Sequence, residues 1–296
     1  MRKFQNAVAV VTGAGSGIGR ELALGLAARG AHLAICDIGE RGLAETAAML
    51  PSTSRVLARV VDVSKLPQME AFANDVLAEF GRVSIVINNA GVALLGTAEE
   101  LSLEDYEWIV GVNLWGPIYG TKIFLPHLRS EPEAHVAIVS SVFGIVAPAG
   151  QTAYALTKFA VRGFGESLRA ELADSKIGVT VVHPGGIATN IARATRAGAH
   201  ADCAEVARTA AFFDGSLART SPKAAAAAII RGIEKRKRRV LIGFDAHLIA
   251  ALARFAPFTI DLLASRKRQE QRRAAAERRA AKSAARASRR LARPRA

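Results

Sequence analysis

Seven short runs rich in β-branched and apolar residues recur along the first 245 positions, at 7–12, 32–37, 56–62, 83–88, 135–140, 178–183 and 239–243. Between them lie longer stretches whose apolar residues recur at helical spacing, among them 17–29, 65–80, 103–125, 151–174 and 222–235. Val83-Ser84-Ile85-Val86-Ile87 is apolar nearly throughout rather than alternating. A strand of that kind is covered on both faces, as in a parallel sheet. The alternation therefore predicts an α/β fold: one doubly wound parallel sheet of about seven strands, flanked by helices and joined by right-handed crossovers. No internal repeat and no Pro- or Gly-rich linker divides this body, which reads as a single domain over 1–245.

The formal charge of +14 does not belong to that body. From Arg266 onward the chain carries 13 of its 40 bases and only 2 of its 26 acids, so this end alone is +11. The basic balance thus reflects an appendage rather than a nucleic-acid-binding fold. The tail 266–296, dominated by Ala and Arg, has few large apolar side chains to bury and none of the interleaved aromatics that stack on bases. Specific nucleic-acid binding is not expected. The preceding stretch, 246–265, is apolar but broken by His247, Arg254, Pro257 and Asp261, too interrupted to span a bilayer. Its Leu248, Leu252, Phe255, Phe258, Leu262 and Leu263 can share one face. That predicts a helical extension that packs on the substrate loop or a partner subunit, or lies on a membrane surface. A +11 tail beside it would be drawn to anionic lipid. Two cysteines, Cys36 and Cys203, exclude a disulfide framework, and the first strand begins too early to leave room for a signal peptide. A cytoplasmic protein is expected, with membrane contact limited to the surface and to 246–296.

The chemistry begins at the first turn. The first strand runs into Thr12-Gly13-Ala14-Gly15-Ser16-Gly17-Ile18-Gly19, and a helix follows. Glycines between a strand and a helix allow a sharp turn and let a pyrophosphate approach the N–H groups of the helix N-terminus. Asp37 ends the second strand, 18 residues after Gly19. A carboxylate there accepts hydrogen bonds from adenosine ribose hydroxyls and repels a 2′-phosphate, which favours NAD over NADP. Arg41 is the nearest cation that could rescue NADP binding. Tyr154 and Lys158 stand four residues apart, on one face of a predicted helix. A free phenol titrates near about pH 10 and is a poor acid–base catalyst at neutrality, and a neighbouring cation favours its ionised form.

Taken together these residues strongly resemble the short-chain dehydrogenase/reductase family, over roughly residues 4–245. Thr12, Gly13, Gly17 and Gly19 match the family's glycine motif, Asp62-Val63 the adenine-side pair, and Asn88-Asn89-Ala90-Gly91 the motif after the fourth strand. Asn113, Ser141, Tyr154 and Lys158 match the catalytic tetrad; Pro184-Gly185 and Thr189 match the nicotinamide side. The resemblance implies an oxidoreductase in which Tyr154 is the general acid–base and Ser141, rather than its neighbour Ser140, holds the substrate oxygen. It implies that Lys158 binds the nicotinamide ribose and depresses the tyrosine pKa, and that Asn113 holds a water relaying protons to solvent. The coenzyme would be held by Gly13, Ser16, Gly17, Ile18 and Gly19, by Asp37, Asp62 and Val63, and by Asn89, Ala90 and Gly91. Tyr154, Lys158, Pro184, Gly185, Ile187 and Thr189 would complete that site. No metal site is expected.

By the same resemblance, substrate would lie among Leu94, Phe143, Ser141 and Tyr154, with Val92, Leu95, Val142, Ala147, Pro148, Gly186 and Ile187 nearby. The lining is apolar, which points to a secondary alcohol or ketone with apolar flanks, lipid-, steroid- or aromatic-like. The loop at about 188–221 would cover it; Arg193 and Arg196 in this loop either meet an anionic substrate or stay in solvent. An NADP-linked carbonyl reductase and a non-catalytic dinucleotide-binding sensor or scaffold are the alternatives. Self-association into a homodimer or homotetramer through helices 103–125 and 151–174 is implied.

Overall fold

The computed structural model describes residues 4–189, 194–212 and 219–257. In chain order the elements are β1 (Val8–Thr12), α1 (Gly17–Ala27), β2 (His32–Asp37), α2 (Glu40–Ala48), β3 (Val56–Val60), α3 (Leu66–Phe80), β4 (Ile85–Asn88) and β5 (Leu94–Leu95). There follow α4 (Leu103–Val110), a π-helical segment (Gly111–Trp115), α5 (Gly116–Arg129), β6 (Ala134–Val139), α6 (Thr152–Glu171) and β7 (Ile177–Pro184). The last are β8 (Arg196–Ala197), α7 (Cys203–Phe212), α8 (Pro222–Glu234), β9 (Arg239–Ile242) and α9 (Phe244–Phe255).

Seven strands form one parallel sheet in the order β3-β2-β1-β4-β6-β7-β9. This is the doubly wound architecture expected of the sequence. Its core explains why the strands are apolar throughout. Successive residues of a strand face opposite layers. Ala9, Val11, Ile35 and Ile87 pack with Leu22 and Leu26 of α1 and Ile229, Ile230 and Ile233 of α8. Val10, Ala34, Val86 and Val136 pack with Met69 and Phe72 of α3, Phe124 and Leu128 of α5, and Val161 and Leu168 of α6. Strand order reverses between β1 and β4, and the crevice at the carboxyl ends of such neighbours is where α/β sheets take ligands.

Three features depart from the expected elements. The helix expected over 103–125 is broken: Gly116 N–H bonds to Gly111 O, an i→i+5 step, and α5 starts afresh with Pro117, which has no N–H to continue the old ladder. Leu94–Leu95 and Arg196–Ala197 form a separate two-stranded parallel sheet, too short to show a period in the sequence. The C-terminal helix begins at Phe244, and the expected extension beyond 257 lies outside the described residues. Among the described residues no helix is long and apolar enough to cross a membrane. The chain divides into two compact units, 1–250 and 251–296, and the sheet belongs to the first.

Candidate active site

The glycine turn is held by groups that also shape the next strand end. Asn89 Nδ2 donates to Thr12 O (2.9 Å) and Gly13 O (3.1 Å), while Thr12 Oγ1 accepts the N–H groups of Asn89 and Ala90, both at 3.0 Å. Gly13 has φ +67°, and a Cβ there would sit 2.7 Å from Ala90 Cα, so only glycine serves. Ser16 caps α1 with its hydroxyl unused by the cap, and Thr189 lies against Gly17, 3.3 Å from where its Cβ would be. Arg20 fastens the turn from behind, donating to Gly15 O (2.6 Å), Gly42 O (3.1 Å) and Thr46 Oγ1 (2.9 Å). A tight backbone turn, a free hydroxyl and a helix N-terminus together make a cradle that fits a pyrophosphate.

Asp37 stands beside this cradle. Its Oδ2 accepts Gly15 N–H and its Oδ1 accepts Gly39 N–H, each at 2.8 Å, which leaves each oxygen a lone pair for a ribose hydroxyl. Arg41, the nearest cation that could rescue NADP binding, is paired with Glu45 at 3.1 Å. Glu45 also takes Arg20 at 3.0 Å, and these two guanidinium groups hold its carboxyl below the usual range. Asp62 Oδ1 accepts Ser64 N–H (2.9 Å) and Oγ–H (2.7 Å), and the buried Val63 side chain packs where a Cβ on Gly116 would go.

Tyr154 and Lys158 project from one face of α6 into the crevice. Lys158 is 3% exposed, donates to Val139 O at 3.2 Å and has its ammonium 5.6 Å from the Tyr154 ring centroid. Burial pulls its pKa down to about 8. Burial raises the Tyr154 pKa, and the neighbouring Ser141 hydroxyl opposes the rise. The same desolvation disfavours the charged forms of both side chains. Ser141 Oγ also accepts Phe143 N–H at 3.1 Å, and the Phe143 ring meets Tyr154 edge-on at 6.1 Å. Ser140 Oγ donates to Lys158 O at 2.7 Å and so holds α6 from below. The adjacent serines are thereby separated: one fixes a helix, the other touches the phenol.

Asn113 lies in the π segment, buried, and its side-chain amide is bound on both ends. Oδ1 accepts Val92 N–H (2.8 Å), and Nδ2 donates to Val92 O (2.9 Å) and Thr157 Oγ1 (3.2 Å). Gly91 allows the convergence: a Cβ there would lie 3.2 Å from Asn113 Oδ1 and 3.3 Å from Lys158 Nζ. Leu94, expected to touch substrate, is 1% exposed and clusters with Leu101, Ile109 and Ala153, with Tyr154 packed on that cluster. It stands behind the wall rather than on it.

On the far side, Gly185 N–H bonds Ile242 O at 2.9 Å and Asp245 Oδ2 accepts Gly186 N–H at 2.7 Å. Ile187 bridges to Thr220, and Pro184 pairs with Ile242. Arg193 lies outside the described residues, as do 190–192 and 213–218. Arg196 is described: half exposed to solvent, as one of the two expectations had it, it also pairs with buried Asp105 at 3.2 Å and stands 5.0 Å over the Trp108 ring. Sequence reasoning passed over Asp105, Asp245 and the role of His183, whose Nδ1–H donates to Ser141 O at 2.8 Å. A Ser102-x-x-Asp105 capping box was the one available signal. Among the described residues no three His, Cys, Asp or Glu side chains converge as a metal site.

The family model described as short chain dehydrogenase matches residues 7–200. Over 257 residues the chain is 43% identical to a Mycobacterium tuberculosis protein named as the oxidoreductase SadH, covering 86% of this chain and 92% of that one. It is 30% identical over 278 residues to the Xenopus tropicalis dehydrogenase/reductase SDR family member 7B, covering 91% and 88%. A short chain dehydrogenase/reductase from Burkholderia phymatum, solved in complex with NAD, matches with a TM-score of 0.79 at 30% identity, covering 89% of this chain and 97% of that one. A Mycobacterium paratuberculosis short chain dehydrogenase bound to NAD matches at 0.70 and 25%, covering 81% and 97%.

Proposed function

The chain belongs to the short-chain dehydrogenase family and is a nicotinamide-dinucleotide-dependent oxidoreductase; from that premise we propose that it interconverts a secondary alcohol and a ketone with apolar flanks and prefers NAD to NADP. The convergence of Ser141, Tyr154 and Lys158 in one crevice carries this reading. A nicotinamide held here would supply the hydride donor or acceptor. The chain supplies position and protons. Ser141 Oγ orients the substrate oxygen, and Tyr154 passes a proton to it or takes one from it. Burial raises the pKa of the phenol, which is protonated at neutral pH, the form needed to protonate an oxygen as a ketone is reduced.

Lys158 binds ribose hydroxyls and sets the charge beside the phenol, while Asn113 acts as a positioning residue that fixes the Val92 backbone. The 13–19 turn, Asp37, Asp62, Val63, residues 89–91, Pro184, Gly185, Ile187 and Thr189 would hold the coenzyme. Phe143, with Val142, Ala147 and Pro148, gives substrate an apolar wall. The catalytic body is taken as 1–245, with the loop at about 188–221 over the crevice. Preference for NAD rests on Asp37 and on the engagement of Arg41 by Glu45. Self-association is proposed through α4, α5 and α6 and the segment between them, where Trp115, Leu156 and Phe159 are exposed.

The test is a spectrophotometric screen of NAD reduction over long-chain, steroid-like and aromatic secondary alcohols, with NADP in parallel. Turnover confined to compact polar alcohols would refute the apolar substrate, and equal turnover with NADP would refute the preference. Coenzyme binding with no turnover of any alcohol or ketone, in either direction, would favour the sensor reading.

A further inference from the structure

A groove of about 340 Å³ between α8, β9 and α9 shares no residue with the site above, and its charged lining is entirely cationic: Arg231, Lys235, Lys237 and Arg239, with His247 beside them. Arg239 is neutralised by Glu166 at 2.7 Å, whereas Arg231, Lys235 and Lys237 make no ion pair among the described residues. The sequence concentrates this charge as an unbroken run, Lys235-Arg236-Lys237-Arg238-Arg239, that leads into β9, an edge strand of the sheet. The C-terminus of α8 stabilises a cation or two through its dipole, and Arg236 reaches Glu133 at 3.6 Å, but Lys235, Lys237 and Arg238 in succession with Arg231 exceed that need. The next helix adds an independent observation. Phe244 is 85% exposed and Leu248, one turn later, is 48% exposed, on the helix that brings His247 to the groove.

We propose that this face is a docking surface for an anionic phospholipid bilayer, the groove taking a phosphate headgroup while Phe244 and Leu248 enter the interfacial layer. Charge complementarity selects the occupant. A second copy across a two-fold axis would set like charges face to face. The chain's own tail, 13 bases against 2 acids from Arg266 onward, is repelled by the groove. A nucleic-acid strand needs successive stacking platforms, and Phe244 offers one ring beside an aliphatic side chain. The proposal does not rest on the catalytic reading, since binding is read without substrate or coenzyme.

The experiment is flotation of the full chain with phosphatidylcholine vesicles, with and without phosphatidylglycerol. Three proteins are compared: wild type, the triple variant Arg231→Gln, Lys235→Gln, Lys237→Gln, and the double variant Phe244→Ser, Leu248→Ser. The tail is intact in all three, and an unchanged far-UV circular dichroism spectrum and Tm certify their folding. Wild type should float only with phosphatidylglycerol, and each variant should lose at least about tenfold in partition. In Phe244→Trp, emission should shift to the blue on adding anionic vesicles. Wild type that stays unbound, variants that float like wild type, or an unmoved Phe244→Trp emission would each overturn the proposal. Inorganic polyphosphate that binds wild type and the Phe244/Leu248 variant alike, with no flotation, would identify a soluble anion and also overturn it.

Discussion

The carboxylate of Asp105 accepts the backbone N–H of Ala199 at 2.8 Å, across 94 residues of sequence. The same buried side chain accepts Ser102 N–H at the start of α4 and pairs with Arg196. One carboxylate thus ties the segment after β7 to the helix that leads into Asn113. Burial alone would raise its pKa, but the hydrogen bonds from Ala199 and Ser102 and the Arg196 charge hold it below the usual value. Asp105→Ala is expected to raise the alcohol KM by about tenfold or more, with a smaller change in kcat and none in the KM for NAD. Asp105→Asn, which keeps part of the bonding, should fall between. Steady-state kinetics with any accepted alcohol checks this, and equal losses in both KM values would assign Asp105 a purely structural role.

Tyr154→Phe removes the phenol that meets Ser141 and keeps the ring that packs on Phe143. Turnover should fall by about 10²- to 10⁴-fold, the usual worth of a positioned acid–base group, with NAD affinity within a few-fold of wild type. Fluorescence titration of the coenzyme beside the activity assay separates the two.

Lys158 keeps a buried ammonium with one hydrogen bond, to Val139 O. Its pKa falls from 10.5 unfolded to about 8 folded, so at pH 7 the folded chain carries a cost on the order of 3 kcal/mol that the unfolded chain does not. Stability should rise with pH between 8 and 10.5, where the unfolded chain binds the extra proton. Lys158→Met should abolish turnover and raise Tm by several degrees at pH 7. A lower Tm would show that the bond to Val139 outweighs the buried charge.

His183 and His135 are fully buried and neutral, with pKa values lowered by burial to about 4 and about 3. Below pH 6.5 the unfolded chain takes up protons that the folded chain refuses, so stability drops by about 1.4 kcal/mol per pH unit for each histidine across that window. His183→Asn, whose amide can still donate to Ser141 O, should flatten this slope by about half between pH 6 and pH 4.5. Denaturant melts at several pH values test it, and an unchanged slope would locate the acid sensitivity elsewhere.

Asp37→Asn keeps one acceptor oxygen where the carboxylate used two against Gly15 and Gly39. NAD kcat/KM should fall by about tenfold or more through both the turn and the ribose. Asp37→Asn with Glu45→Ala, which releases Arg41, should move the preference towards NADP. An NAD-to-NADP ratio unmoved by both changes would show that another group reads the ribose.

Much of this was legible in the chain. The nearly apolar strands follow from burial on two faces, a constraint that leaves a mark on Val83, Ile85, Val86 and Ile87. The glycines are legible because their positions forbid a Cβ, as Gly13 against Ala90 does. What stayed hidden depends on partners distant in sequence. Asn113 in isolation is an asparagine on a helix; only the folded chain shows its amide closed around the Val92 backbone. Arg196 reads as a loop cation until Asp105 is placed beneath it. The four-residue spacing of Tyr154 and Lys158 is visible in the chain; the desolvation they share is not.

Ser140 and Ser141 are one peptide bond apart and bound to opposite ends of the same task, one to a helix carbonyl and one to a phenol. Because consecutive side chains on extended backbone point away from each other, neither hydroxyl can deputise for its neighbour. A lineage that lost Ser141 could not recover by recruiting the serine next door, and a screen for revertants should find true reversion or none.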